Sequence, residues 1–166
     1  MADYVAIADA IIQREGRFTD HPNDRGGATK YGITLRTLEW WRKRPVTVED
    51  VKNLTLDEAR EIYIHKYIKA PGFDKVPESM LQLQLVDFGV NSGPGAAILN
   101  LQEILGVPAD GKLGPRTLEA LSQADLNKVN IALLKRRLMM IARIVKRDNK
   151  QVAFLMGWIK RALEFI

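Results

Sequence analysis

Apolar residues recur along most of this chain at intervals of three and four, the spacing of one face of a helix. Tyr4, Ala8, Ile11, Ile12 and Glu15 share such a face, which predicts a helix over 2–15. Helices follow over 35–44, stopped before Pro45, and over 56 to about 69, ending before Pro71-Gly72. Thr47 and Thr55 each precede a short acidic run and read as N-caps, the second as a capping box with Glu58 three positions on. Residues 78–91 are apolar nearly all round, with Met80, Leu81, Leu83, Leu85, Val86 and Phe88, and belong in the middle of a core. Helices over 94–105 and 115–123 come next, then two long ones. The first of these carries the stripe Ile131, Leu134, Leu138, Ile141 and Val145, the second Val152, Leu155, Ile159, Ala162 and Ile166. Each stripe is expected to bury one face. No run reads convincingly as a strand, although Tyr31-Gly32-Ile33 suits a short edge piece. The expected fold is an all-α helical bundle with a C-terminal helical subdomain.

Composition narrows the class. The chain of 166 residues has no cysteine, so it has neither a disulfide framework nor thiol chemistry. The two histidines, His21 and His65, lie far apart with no acidic or thiol cluster around them, and each is expected in a loop or at the surface. No metal and no organic cofactor is implied. No apolar stretch reaches membrane-spanning length, and the start has no basic segment followed by an apolar block. A signal peptide is therefore not expected, and one copy of the chain as a monomer is.

Charge is unevenly spread. Residues 128–166 hold ten Lys or Arg against two acids, while residues 1–127 hold 15 bases against 18 acids. A basic end on a near-neutral body suits an anionic partner such as a bacterial wall, lipopolysaccharide or an anionic membrane. The plainer alternative is a solvated helix face. Arg136, Arg143, Arg147 and Lys150 line one side of the first long helix, beside Met139-Met140, whose expected role is core packing. No nucleic-acid motif accompanies the charge, and no nucleic-acid partner is expected.

The chemistry concentrates at 15–34. Glu15 ends the apolar face of the first helix, where desolvation raises a carboxyl pKa and suits it to proton donation; an exposed helix-end residue is the bland alternative. Gly16 fits the helix C-terminus. A polar, Gly-rich loop follows, with a second carboxylate at Asp24 inside Asn23-Asp24-Arg25-Gly26, which is also a natural turn. One acid kept protonated and a second polar group near water is the asymmetry that glycosidic hydrolysis uses. Thr34 precedes a helical run and fits an N-cap. Trp40 and Trp41 are expected mainly in the core, with sugar stacking as the alternative for one of them or for Tyr31. Asp87 sits alone in the most apolar helix and needs a partner, as a structural anchor or as part of a cleft. Asn91 and Ser92, at that helix's end, suit either donation to sugar acetamides or capping of the next helix.

The string Gly26 to Thr34, Gly-Gly-Ala-Thr-Lys-Tyr-Gly-Ile-Thr, resembles the signature of glycoside hydrolase family 108, the phage and prophage N-acetylmuramidases. Arg17 and Phe18 stand where the family has Gly and Tyr, and Asp20-His21-Pro22 where it has Asn-Asp-Pro. Asp87 to Gly93 is a second family-like stretch. The resemblance implies a lysozyme-like fold, Glu15 as catalytic acid, and cleavage of the β-1,4 bond between N-acetylmuramic acid and N-acetylglucosamine. The spacing also resembles that of phage-type lysozymes, which implies Asp24 and Thr29 as the pair that positions water, Thr29 falling one residue early. Tyr31, Thr34, Asp87, Asn91 and Ser92 are the candidate substrate contacts. Asp110-Gly111, Gly114, Thr117 and Ala120 resemble the signature of peptidoglycan-binding helical modules. The implied division is a catalytic lobe over 1–92 and a peptidoglycan-binding-like region over 93–166. A cytoplasmic enzyme released through a holin pore, or exported by another route, to act on the wall from the periplasm fits this picture. The rival functions are a non-catalytic wall-binding protein and a lytic transglycosylase.

Overall fold

A computed structural model describes residues 4–15, 18 and 28–166, with the side chains of all of these but Arg14 and Glu15. The fold is all-α and lysozyme-like. Cα packing divides it into two compact units, residues 1–66 and 67–166.

In the first unit, α1 (Tyr4–Glu15) buries Ala8, Ile11 and Ile12, the face its spacing predicts. A two-stranded antiparallel hairpin follows, β1 (Thr29–Lys30) against β2 (Ile33–Thr34), with Thr29 opposite Thr34 and Lys30 opposite Ile33. α2 (Leu35–Arg42) starts on Thr34, whose hydroxyl accepts from the Thr37 amide, and stops at Lys43 in the left-handed conformation, two residues before Pro45. α3 (Val48–Lys52) and α4 (Leu56–Ile64) start on Thr47 and Thr55, as their sequence predicts. The reciprocal capping box closes at the other site, however. Asp50 returns a bond to the Thr47 amide, whereas the Glu58 carboxylate is taken by Arg42.

That capture belongs to a set of arginine forks. Arg42 holds both Glu58 oxygens at 2.8 Å and Asp50 at 2.7 Å, tying α2 to α3 and α4. Arg60 on α4 grips Asp9 on α1 through two bonds of 2.6 and 2.9 Å. Planar guanidinium and carboxylate match in this two-bond geometry, which exceeds a single contact in strength and direction. The π-turn His65–Lys69 continues α4, so the predicted helix to residue 69 exists with its last turn widened.

In the second unit, a 3-10 turn at Phe73–Lys75 leads to α5 (Met80–Ser92), which is buried over most of its length. Gln82 on α5 donates to the Phe73 and Val76 carbonyls and holds that turn beneath the helix. Gly89 suits the close approach here: a Cβ would lie 3.2 Å from the Phe73 ring, tighter than ordinary contact, so Phe73 would have to give way. α6 (Pro94–Leu105), α7 (Pro115–Gln123), α8 (Leu126–Arg147), a 3-10 turn (Asn149–Gln151) and α9 (Val152–Leu163) complete the chain. α5 packs chiefly on α6 and α8. By Cα packing, then, it falls in the same compact unit as the C-terminal helices.

The stripe of α8 is phased differently from the expectation. α8 buries Val129, Asn130, Leu133, Leu134, Arg137 and Ile141, and Ile131 is exposed. On α9, Ala162 is buried and Leu155 and Ile159 are partly so, as expected, while Val152 is exposed and Ile166 lies beyond the helix. The cause on α8 is polar. Arg137 turns inward to Asp87 and draws its own side of α8 into the core, and Gln84 and Asn130 bond across α5 and α8 beside it.

Two predictions follow from these contacts. Asp87→Ala leaves two guanidinium groups facing an apolar core and should cost about 3–5 kcal/mol of stability. Urea denaturation followed by circular dichroism measures it. The second concerns acid. Arg60 beside Asp9 and Arg42 beside Glu58 hold both carboxyls below their ordinary range, through hydrogen bonds above all. As pH falls, the unfolded chain takes up protons that these folded groups resist, so the folded state loses ground. This contribution is complete above about pH 5 and declines as pH drops below about 4. Arg42→Gln should therefore lower the urea midpoint at pH 7 and bring it towards the wild-type value at pH 3.

Candidate functional site

Glu15 is the last residue of α1, at the end of the helix whose Ala8, Ile11 and Ile12 are buried. Its side chain, Gly16, Asp24, His21 and the Gly26-Gly27 pair lie outside the described residues. The rest of the loop motif is the β1–β2 hairpin. Tyr31 and Gly32 form its two-residue turn with φ of 55° and 72°, the pair of positive angles that suits the twist of a tight hairpin. Glycine takes such an angle without strain; tyrosine does not. Tyr31 is held there by the Tyr63 hydroxyl, which donates to its carbonyl at 3.0 Å, and Lys30 places its ammonium 5.3 Å from the Tyr31 ring centre.

The hairpin brings three of the predicted residues together. Thr29 and Thr34 are paired across it, and Tyr31 sits at its tip. The Thr34 hydroxyl accepts from the Thr37 amide and donates to the Thr37 hydroxyl, both at 3.2 Å. It works as a helix cap. Lys66 extends this polar chain with a 3.4 Å bond to the Thr37 hydroxyl. Desolvation pushes its ammonium below the ordinary lysine value. A half-buried cation next to the hairpin is a feature that sequence reasoning missed, because Lys66 lies in a segment whose helical period hides which face it takes.

Trp40 is half exposed and Trp41 partly so, against the expectation of core packing. Both rings meet His65, with centroids 5.8 and 5.6 Å away. His65 is exposed, as expected. Among the described residues no group of three or more His, Asp or Glu is placed to hold a metal ion, and no helix is long and apolar enough to cross a membrane.

In the second unit Asp87 is buried. Its oxygens receive Arg137 at 2.7 Å and Arg161 at 2.8 Å, and the Asn91 amide donates to its carbonyl and carboxylate. Both carboxylate oxygens are thus bonded by protein, which favours the anchor over a direct sugar contact. Arg137 lies between the Phe88 and Phe165 rings, 5.2 and 5.6 Å from their centres. Burial lowers its pKa, opposed by the Asp87 charge. The sequence signal for this pairing was present: Arg137 shares a helical face with Leu133, Leu134 and Ile141, and α5 offers a single acid. Asn91 and Ser92 are exposed and line a recess of about 150 Å³ with Met140, Trp158 and the two arginines. Neither caps α6, which starts on Gly93 with Pro94 as its first residue.

The Asp110-Gly111 motif is organised by Gln102, which sequence reasoning also missed. Its amide nitrogen donates to Asp110, the Lys112 carbonyl and Thr117, and its oxygen accepts from the Gly111 amide. One buried side chain on α6 thereby fixes the loop and the start of α7.

Taken together, the two units make an all-α protein whose helical second unit is organised around Asp87. Residues 8–93 match the family described as Glycosyl hydrolase 108, and residues 96–163 match a "Predicted Peptidoglycan domain". The structure of Brucella abortus SagA is similar over 98% of this chain and 94% of that one, with 32% identity and a TM-score of 0.76. No curated protein matches. The chain belongs to glycosyl hydrolase family 108. It is a glycosidase, and its second region marks peptidoglycan as its partner.

Replacing Tyr63 with Phe removes the bond that holds the Tyr31 turn. A neutral hydrogen bond of this kind contributes about 1 kcal/mol. Y63F should lose about that much stability, seen as a lower melting temperature, and lose wall-degrading activity more than proportionately, because the hairpin is no longer held in its strained form.

Proposed function

We propose that the protein is an N-acetylmuramidase that cleaves the β-1,4 bond between N-acetylmuramic acid and N-acetylglucosamine. The observation that carries this reading is the ending of the buried face of α1 at Glu15, directly ahead of the loop whose second half is the family hairpin. Glu15 donates its proton to the leaving glycosidic oxygen. Asp24, with Thr29 on β1, positions water or stabilises the charge of the oxocarbenium-like transition state. Tyr31, at the hairpin tip, supplies an aromatic face for a sugar ring. Asn91 and Ser92 act as polar contacts from the rim of their recess. The protein acts at the cell wall.

Glu15→Gln keeps the size of the side chain and removes the proton. It should abolish turbidity loss of purified walls while leaving the melting temperature unchanged. Asp24→Asn should be impaired less, because Asn can still make the turn. Mass spectrometry of wall digested by the wild-type protein completes the test. Reducing N-acetylmuramic ends support the proposal, anhydro ends assign a lytic transglycosylase, and unbroken glycan with wall adsorption assigns a binding protein.

A further inference from the structure

The outer side of α8 carries a groove that the chemistry above does not use. It is lined by Asn100 on α6 and by Lys135, Arg136, Met139, Met140 and Arg143 on α8, and measures about 520 Å³, within the size range of small-ligand sites. Three of its six lining residues are cations. Of these, Arg136 is paired with Glu103, and the described contacts give no acid to Lys135 or Arg143. Met139 is more than half exposed, an unusual place for so large an apolar side chain unless something covers it. Its unbranched thioether adapts to irregular apolar partners. The Asn100 amide nitrogen is spent on the Ala96 carbonyl, which leaves its oxygen to accept from an incoming N–H.

The spacing of its charges suits an extended, amphipathic, anionic peptide. Positions 136 and 143 are two turns apart, about 10 Å along the helix, and 135 and 143 about 12 Å. Three to four residues of extended chain span about that distance. A stem peptide of peptidoglycan presents carboxylates at such intervals, carries more carboxylates than amines, and has alanine methyls between them. We propose that this groove between α6 and α8 binds the peptide stem of peptidoglycan, with Lys135 and Arg143 receiving its carboxylates, Met139 and Met140 its methyl groups and Asn100 a backbone amide. The proposal rests on the reading of the wall polymer as substrate. It adds the peptide, rather than the glycan, as the part that the C-terminal region recognises.

The test uses the full-length protein and the N-acetylated tetrapeptide L-alanyl-γ-D-glutamyl-diaminopimelyl-D-alanine, titrated by calorimetry. Wild type should bind it, and the double variant K135Q/R143Q should bind at least about tenfold more weakly, as expected if two charged contacts lose about 1.4 kcal/mol. K146Q/R147Q removes the same charge just beyond the groove and should change affinity less than about threefold. Thermal melts check that all variants are folded. Equal affinity in K135Q/R143Q, equal loss in both double variants, or no binding by wild type overturns the proposal. A parallel arm measures sedimentation with phosphatidylglycerol vesicles. If K135Q/R143Q loses vesicle binding but keeps the tetrapeptide, the groove serves a lipid surface and the proposal is overturned. Failure of the muramidase reading is seen separately, in the ends produced by the wild-type protein.

Discussion

A single carboxylate placed among apolar side chains governs the second unit. α5 is buried along most of its length, and Asp87 is its one charged residue. A carboxylate in that position is tolerable only if cations and donors replace its water. They come from far along the chain, Arg137 on α8 and Arg161 on α9, 50 and 74 residues away. The requirement therefore fixes how α8 and α9 are rotated about their own axes. With Arg137 turned inward between Phe88 and Phe165, residues 135, 136, 139 and 143 are left on the outer side of α8. The buried pair and the exposed groove are two consequences of one helical phase. Such a network adds little net stability over a well-packed apolar core, but it discriminates between rotations that an apolar stripe alone would accept.

The first unit depends on different physics. Its ion pairs are partly exposed forks from Arg42 and Arg60, which work by geometry more than by burial. They join α1, α2, α3 and α4 around a hairpin of only four strand residues. A hairpin so short is marginal by itself. Here it gains a hydrogen bond from Tyr63, another from Lys30 to the Lys52 carbonyl, and a helix that starts directly from its second strand. Tyr31 holds a conformation that favours glycine because the surroundings over-determine it. Strain of this kind collects where a side chain must be presented rather than packed.

Much of the fold was legible because its signals are local. Thr34, Thr47 and Thr55 cap helices through bonds to residues three positions away, and proline marks the starts of α6 and α7. What was not legible depends on residues far apart. The capping box moved from Thr55 to Thr47 because Arg42, sixteen residues before Glu58, took the carboxylate. The α8 stripe was misphased because a stripe drawn through Ile131 and Leu138 counts apolar residues only and omits Arg137. Trp40 and Met139 were expected inside on the strength of their size, yet each is more than half exposed. The site shows the same division. The motif marked the place, but Tyr31-Gly32, taken as part of a short edge piece, is the turn of a hairpin, and Lys66, which reaches Thr37 across 29 residues, was not legible. Glu15 was placed by its position at the end of α1's buried face, and that backbone position is what the fold describes.

Charge counting illustrates why placement outranks composition. Residues 128–166 carry ten bases, which read as a uniformly basic end. Arg137 and Arg161 are turned to Asp87, which the count over that segment does not include. Arg136 is joined to Glu103 and Lys128 to Asp125, both acids again outside it. The field available to a partner therefore comes mainly from Lys135, Arg143, Lys146, Arg147, Lys150 and Lys160. Four of these fall on α8 beyond Leu134, next to an exposed methionine. An evenly basic surface attracts any polyanion and is screened by salt over about 10 Å. Cations fixed beside apolar side chains in a groove add a short-range term that a bare phosphate does not satisfy. That second term turns a net charge into a preference, and it exists here only because the buried carboxylate on α5 has already decided which way α8 faces.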